Sequence, residues 1–303
     1  MSFRIIHPGT FSLLVDRGRP GSRSLGIPLS GAADRAAHAI GNALVGNSTE
    51  AIALEMSFSG PTLEAENEAS ACVFGAPFAV SIDNDPISPG CVFRCRKGAL
   101  LKIGGTAQGA RGYLCVFGGF LVESILGSGT ALAPVTAGDR LVCAESSRFG
   151  RSLACADAAS LLEESTANEA LRAIDGPQAD WFPFAAFYGR IYTVSAASNR
   201  MGVRLEGDPL ARQPREMVSE AVAPGAVQIT NEGLPIVLGV DGQTIGGYPK
   251  IAHVIRADLD RIAQLRPGQS VRFERVSLEE AEIAARERQR KLRRWLTASR
   301  LEG

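Results

Sequence analysis

ACVFGAPFAVSIDNDP, residues 71–86, contains two short apolar runs and a turn, and the same pattern recurs along most of the chain. Short apolar runs that end at glycine, proline or an Asn-Asp cluster are typical of β-strands. In Asp83-Asn84-Asp85-Pro86, the asparagine and aspartates tolerate turn dihedrals and the proline fixes the next φ. We therefore expect a hairpin here and a mainly β fold overall.

Further runs of this kind support the same fold class. They lie at 11–15, 99–103 and 112–117, and a second series lies at 190–194, 226–229, 236–240 and 271–273. Four stretches have helical spacing instead, at 36–44, 157–173, 258–265 and from Ser277 onward. Asp34 is placed to cap the first, and Ser277 with Glu280 forms a capping box for the last.

A change in composition predicts the domain boundary. Residues 146–178 are rich in small and acidic residues and have little β pattern. We expect an N-terminal β-barrel domain over 1–150 and a linker or helical segment over 151–175. A C-terminal β-barrel domain with a C-terminal helix is expected over 176–303.

Charge and hydropathy exclude several classes of protein. The 303 residues include 32 Lys and Arg against 32 Asp and Glu, so the formal net charge is +0. A surface built to bind nucleic acid or an anionic membrane would be basic, and we expect neither partner. The longest apolar runs, such as 234–238, are too short to span a bilayer.

The cysteines and histidines indicate a cytoplasmic protein without a metal site. Six cysteines stand singly, several of them inside apolar runs, and are expected to be free structural thiols. The three histidines are isolated, and no metal-ligand spacing is present. The first sixteen residues lack the pattern of a signal peptide. Gly118-Gly119 is not followed by Gly-Lys-Ser, so it does not form a P-loop.

The stretch DGQTIGGYPK, residues 241–250, is the strongest candidate for a functional site. Gly246-Gly247 removes two side chains in a row, which lets backbone N–H groups approach a ligand closely. The polar side chains around this doublet belong to Asp241, Gln243, Thr244, Tyr248 and Lys250. They could bind a small polar amide or a phosphate, or stabilise an oxyanion with Lys250. The alternative is a glycine-rich turn in water.

Two other regions carry candidate site residues. Asp16 and Arg19 could pair with each other or grip a carboxylate. Ser30 and Asp34 precede a helix, where backbone N–H groups favour anions, although Asp34 could serve only as an N-cap. Gln228 belongs to a polar group that also includes Arg200 and Glu220, for which a structural Arg–Glu network is the alternative.

Taken in order, these motifs resemble the family called allophanate hydrolase subunit 2, or biotin-dependent carboxyltransferase domain. The similarity runs from Ile6 to Ala281. The residues that carry it are Asp16, Gly18-Arg19, Ser30-Gly31 with Asp34, 42–47, Glu55 with Gly60-Pro61, Gly75-Ala76, 111–113, Gly118-Gly119, 126–128, 176–178, 200–202, 204–207, 225–228, Gln243-Thr244 with 246–250, and Pro267-Gly268.

The resemblance implies a fold, partners and an activity. Family members are similar to cyclophilin in their β-barrel domains and work with a partner similar to a kinase-inhibitor protein, called subunit 1. In 5-oxoprolinase a third, lactam-utilisation-type subunit takes part, and ATP with Mg²⁺ is used. The implied activity is ATP-dependent opening of a small lactam or amide. The alternatives are biotin-dependent carboxyl transfer to urea- or allophanate-like substrates, or a non-catalytic regulator that binds subunit 1.

For the enzyme hypothesis, we assign expected roles to the candidate residues. Lys250, Asp241 and Asp16 are expected to be catalytic. The residues expected to bind substrate are Arg19, Ser30, Asp34, Gln228, Gln243, Thr244, Gly246, Gly247 and Tyr248. Three positions depart from the family pattern. The family usually has Gln at the position of Val15, an Arg-Ser-Thr continuation from Gly129, and often Thr at the position of Ile245. These changes could alter the substrate or mark a paralogue with weakened catalysis.

Overall fold

Strands dominate the regular structure, so the predicted mainly β fold is confirmed. The computed structural model describes residues 1–144, 170–183, 187–213 and 215–301. The chain divides into two units. The first includes Met1–Gly18 and 34–144, and the second includes Arg19–Ala33 and 170–291. Residues 19–33 therefore pack with the C-terminal strands although they come early in the sequence.

The first unit contains eleven strands and one long helix among its described residues. The strands are β1 (Ser2–His7), β2 (Phe11–Val15), β3 (Ala53–Ser57), β4 (Thr62–Ala65), β5 (Ala69–Gly75), β6 (Val80–Ile82), β7 (Asp85–Ile87), β8 (Val92–Cys95), β9 (Leu100–Ile103), β10 (Arg111–Val116) and β11 (Arg140–Val142). They form a six-stranded sheet in the order β11-β1-β4-β9-β6-β7 and a five-stranded sheet in the order β2-β3-β10-β5-β8. All pairs are antiparallel.

Local signals in this unit worked as predicted. β6 and β7 pair around Asp83 and Asn84, whose φ angles are +51° and +74°. Helix α1 (Arg35–Leu44) begins after Asp34, whose carboxylate accepts the Ala37 N–H at 2.9 Å. The helix packs on β5 and β10. The core contains large apolar side chains from both sheets: Phe3, Ile5, Leu54, Met56, Leu63, Leu101 and Leu114.

The second unit is built on a closed barrel. Its strands are β12 (Leu171–Asp175), β13 (Ile191–Val194), β14 (Gly202–Glu206), β15 (Glu220–Ala221), β16 (Ala226–Ile229), β17 (Pro235–Leu238), β18 (Ile245–Gly246), β19 (Lys250–Val254) and β20 (Ser270–Arg275). The barrel order is β12-β19-β16-β17-β14-β13-β20, and β12 closes it by pairing parallel to β20. β15 and β18 form a separate two-stranded ribbon. Aromatic rings fill the barrel, with Phe187 and Phe273 centroids 4.5 Å apart.

Helices follow the barrel strands. The predicted helix over 258–265 is a 3₁₀ turn (Arg256–Asp258) followed by the short helix α2 (Leu259–Ile262). Helix α3 (Leu278–Leu301) begins at the predicted capping box. The Ser277 N–H donates to Glu280 Oε2 at 2.7 Å, and the Glu280 N–H donates to Ser277 Oγ at 3.2 Å.

One prediction of secondary structure is wrong in its last residues. The linker expected over 151–175, and the helical spacing seen over 157–173, end in a barrel strand, β12. Leu171 and Ala173 are buried while Arg172 between them is half-buried, so this stretch follows the period-two pattern of a strand. Residues 145–169 lie outside the described residues.

Four of the cysteines behave as predicted. Cys72, Cys95, Cys115 and Cys143 are free and buried. Burial raises the pKa of the Cys72 thiol to about 12, so it stays protonated at neutral pH. The prediction is wrong at Cys91, which is partly exposed before β8 and is disulfide-bonded. Cys155 lies outside the described residues.

None of the helices in the described part of the chain combines the length and apolar character needed to cross a membrane.

Candidate functional site

A short ribbon places a carboxylate beside the predicted glycine doublet. The stretch 241–250 leads from β17 to β19 and contains β18. β18 pairs with β15 so that Glu220 lies opposite Gly246 and Ala221 opposite Ile245. The Val222 N–H donates to the Thr244 carbonyl at 3.0 Å and extends the pairing. The ribbon therefore joins two segments that are some twenty residues apart in sequence.

Lys250 lies at the centre of a hydrogen-bonded ring, which we call the lysine cluster: Lys250, Glu220 and Gln178. Lys250 Nζ is 2.7 Å from Glu220 Oε1 and donates to the Ala221 carbonyl at 3.2 Å. Its backbone N–H donates to Gln178 Oε1 at 3.0 Å, and Gln178 Nε2 donates to Glu220 Oε1 at 2.7 Å. The Lys250 side chain is 11% exposed, so the ammonium is largely withdrawn from water and paired with a carboxylate.

The same contacts set the ionisation of Glu220. The hydrogen bond from Lys250 is the largest influence on this carboxyl and lowers its pKa; burial opposes it, and the hydrogen bond from Gln178 and the charge of Lys250 help to keep the pKa below its ordinary value. Glu220 is therefore ionised at neutral pH, and the cluster has one negative and one positive group in contact.

The glycine doublet lies against two side-chain amides. A Cβ on Gly246 would be 2.6 Å from Gln228 Nε2 and 3.3 Å from Gln243 Nε2, so a side chain here would force the Gln228 amide to move. Gln228 is 1% exposed. Its Nε2 donates to the Tyr248 carbonyl, and its Oε1 accepts from Gln243 Nε2, both at 3.3 Å. The predicted binding residues Gln228, Gln243, Gly246 and Tyr248 thus meet in one place.

Asp241 is held by an arginine. Arg200 Nε donates to Asp241 Oδ2 at 2.6 Å, and Arg200 Nη2 donates to Oδ1 at 3.2 Å. The same Nη2 donates to the Gly31 carbonyl at 2.7 Å. Both carboxylate oxygens are therefore engaged in a bidentate pair, the strongest form of Arg–carboxylate contact.

The early loop, residues 19–33, contacts the same region of the second unit. The Ser30 N–H donates to the Val240 carbonyl at 2.8 Å, and Ser30 has a φ of +55°. Arg23 Nη2 donates to the Val222 carbonyl and, at 3.2 Å, to the Gln243 carbonyl. Arg19 is buried, and its N–H donates to the Leu29 carbonyl at 2.7 Å. The structure thus brings the loop that carries Arg19 and Ser30 to the stretch 241–250.

Asp16 and Asp34 belong to the first unit, where both are buried. Four donors within hydrogen-bond distance surround the Asp16 carboxylate: Gly18 N–H, Ser128 Oγ, Gly129 N–H and Thr130 Oγ1, at 2.6–2.8 Å. Burial raises the pKa of Asp16, but these hydrogen bonds together lower it below its ordinary value. Asp34 caps α1, and its N–H donates to the Tyr113 hydroxyl at 2.8 Å.

Three residues at the site were not predicted to have a role there. The sequence places Glu220 only within a polar group and Gln178 only within a family motif, and it gives no signal for Arg23. A two-residue strand such as β15 is too short to give a pattern in sequence, so nothing marked Glu220 as a neighbour of Lys250. Within the described residues, no group of three or more His, Cys, Asp or Glu side chains could hold a metal ion.

The sequence from the early loop to the last barrel strand matches a carboxyltransferase-type domain. The family model described as "Carboxyltransferase domain, subdomain A and B" matches residues 25–275, and the chain belongs to this family. This confirms the resemblance predicted from the motifs.

Particular relatives narrow the comparison. The chain is 36% identical to an Escherichia coli 5-oxoprolinase subunit, the one designated C, over 301 residues, which cover 95% of each chain. It is 36% identical to the protein of the same name from Haemophilus influenzae over 282 residues, 88% of this chain and 89% of that one. The crystal structure of the Kluyveromyces lactis urea carboxylase is similar with a TM-score of 0.86 and 24% identity, over 97% of this chain and 29% of that chain. That likeness shows the fold.

Proposed function

We propose that this chain is a subunit of a heteromeric, ATP-dependent amidohydrolase that opens a small lactam such as 5-oxoproline. The observation that carries the proposal is the 36% identity to the Escherichia coli 5-oxoprolinase subunit over 95% of both chains. A protein named as a subunit works with others, so we expect activity only when the partner subunits are present.

The side chains around the glycine doublet suit an amide substrate. An amide offers one N–H donor and one carbonyl acceptor, and the amides of Gln228 and Gln243 can match either. Lys250 and backbone N–H groups at Gly246-Gly247 would offset the negative charge that develops on the carbonyl oxygen when a nucleophile attacks the carbonyl carbon, before the C–N bond breaks. We assign Arg19, Ser30, Thr244 and Tyr248 to substrate binding around them.

Hydrogen bonds leave the three candidate aspartates, at positions 16, 34 and 241, little freedom to act on the substrate. Asp241 is engaged by Arg200, and Asp16 accepts four hydrogen bonds. We therefore propose that Asp241 positions Arg200, that Asp16 fixes the turn at 128–130, and that Asp34 fixes the start of α1. A base for water activation would then come from elsewhere in the complex.

We place the binding of ATP and Mg²⁺ outside the glycine doublet. Within the described residues, no group of three or more His, Cys, Asp or Glu side chains could hold a metal ion, and Gly246 lies against the side-chain amides of Gln228 and Gln243. We propose that ATP is bound by the partners, a subunit 1-like protein and a lactam-utilisation-type third subunit.

A carboxyltransferase activity is the second candidate. The matching family model is a carboxyltransferase domain, and the fold is similar to that of part of a urea carboxylase. In this case the substrate would be urea or allophanate and the carboxyl carrier would be biotin on another chain or domain.

Reconstitution distinguishes the two candidates. The chain, its subunit 1-like partner and the third subunit are combined, and ATP hydrolysis is measured with 5-oxoproline or urea. We expect turnover that depends on 5-oxoproline and on this chain. Turnover with urea and biotinylated carrier alone would favour the carboxyltransferase, and turnover that does not need this chain would contradict both.

A further inference from the structure

Glu220 has one carboxylate oxygen fixed and the other open. Oε1 accepts from Lys250 and from Gln178, each at 2.7 Å. Among the residues that the structure describes, no hydrogen bond reaches Oε2. The side chain is 40% exposed, so Oε2 is accessible while the plane of the carboxylate is held by two donors.

The other carboxylate at the site differs from Glu220 in this respect. Both oxygens of Asp241 accept from Arg200. To donate a hydrogen bond to Asp241, a ligand would have to break this bidentate pair. To donate to Glu220, it would only have to approach Oε2. Glu220 is therefore the better acceptor for a ligand.

The ribbon places Glu220 beside the doublet. In the register of β15 and β18, Glu220 lies opposite Gly246. A Cβ on Gly247 would be 3.3 Å from the hydroxyl of Ser219, the residue before Glu220. A compact ligand at the doublet would therefore lie within reach of both the backbone there and the Glu220 side chain.

We propose that Glu220 Oε2 accepts the N–H of the substrate amide, and that Gln178 is the positioning residue that fixes the carboxylate for this contact. The inference rests on the proposed function and assigns the substrate class: amides and lactams with an unsubstituted N–H. A charged acceptor makes a stronger hydrogen bond than a neutral one. An N-alkylated amide would leave Oε2 of Glu220 without a partner. The cost of that unpaired acceptor discriminates between the two ligands more strongly than the gain from the hydrogen bond itself.

The test compares 5-oxoproline with N-methyl-5-oxoproline in the reconstituted complex. Binding is measured by calorimetry and turnover by ATP hydrolysis. We expect the wild-type complex to bind 5-oxoproline roughly tenfold to a hundredfold more tightly than the N-methyl analogue. Glu220→Gln can keep the contacts of Oε1 but replaces the free acceptor by an NH₂ donor, so the preference should fall to near one. Glu232→Gln, an exposed carboxylate in the same unit, should retain it.

Gln178→Met tests the positioning role. It should reduce the preference for the N–H substrate even where overall binding also weakens, because Glu220 loses one of its two fixed contacts. A structural role alone would weaken both ligands equally. A Gln178→Met complex with the full wild-type preference would overturn the role of Gln178.

The outcomes separate this inference from the proposed function. Wild-type turnover with a preference that survives Glu220→Gln overturns the inference and leaves the function standing. If the wild-type complex has no turnover, the proposed function fails, and the binding data alone decide the inference. A preference for 5-oxoproline that depends on Glu220 supports the inference. The absence of binding, or of any preference, overturns it.

Discussion

At the scale of single residues, the buried carboxylate of Asp16 is satisfied by dense hydrogen bonding. Asp16 is 8% exposed and accepts from four donors, two of them backbone N–H groups. The sequence showed Asp16 as a polar residue after a strand, but its partners at 128–130 are more than a hundred residues away. Contacts between residues so distant in sequence leave no local pattern, so its environment could not be predicted.

This environment predicts a pH-dependent effect of Asp16→Asn. The folded pKa of Asp16 is lowered, so its ionised form adds stability above the unfolded pKa near 4, and this stability is lost as pH falls through the folded value. We expect the variant to lose about 1–3 kcal/mol at pH 7 and to approach wild type in strong acid. Denaturant unfolding at several pH values measures this, with the exposed Asp85→Asn as control. A loss independent of pH would contradict the role of the charge.

At the scale of elements, strands and caps with a local signal were predicted, and elements defined by distant pairing were not. The hairpin at Asp83-Asn84 and the N-cap at Asp34 formed as expected because turn and cap preferences act within a few residues. The ribbon of β15 and β18 escaped prediction because each strand has two residues. The sequence therefore located 241–250 as a candidate site but not the Glu220 beside it.

The loop 19–33 gives a prediction at this scale. Arg23 Nη2 donates to two carbonyls, those of Val222 and Gln243, and a lysine ammonium would fall short of them because it lies one bond nearer the backbone. We expect Arg23→Lys to release the loop locally and to speed thermolysin cleavage within 19–33 by roughly tenfold. Arg17→Lys, whose exposed pair with Glu50 lies in the first unit, is the control. Equal cleavage rates in wild type and Arg23→Lys would show that this contact does not hold the loop.

At the scale of the whole molecule, early and late parts of the chain build the second unit together. Residues 19–33 pack with the barrel formed after residue 170. The contacts at Ser30 and Arg23 bring this loop against the stretch 241–250. Composition alone could not predict this, since it separates the chain only into consecutive segments.

The most direct test of the central claim is turnover by a complex that contains Lys250→Met. Methionine is nearly as long as lysine but lacks the ammonium charge that we propose lies beside the substrate amide. We predict that 5-oxoproline-dependent ATP hydrolysis falls by roughly a hundredfold or more while the complex still assembles. The exposed Lys102→Met is the matched control and should retain activity. Full turnover by the assembled Lys250→Met complex would contradict the claim that this lysine serves the reaction.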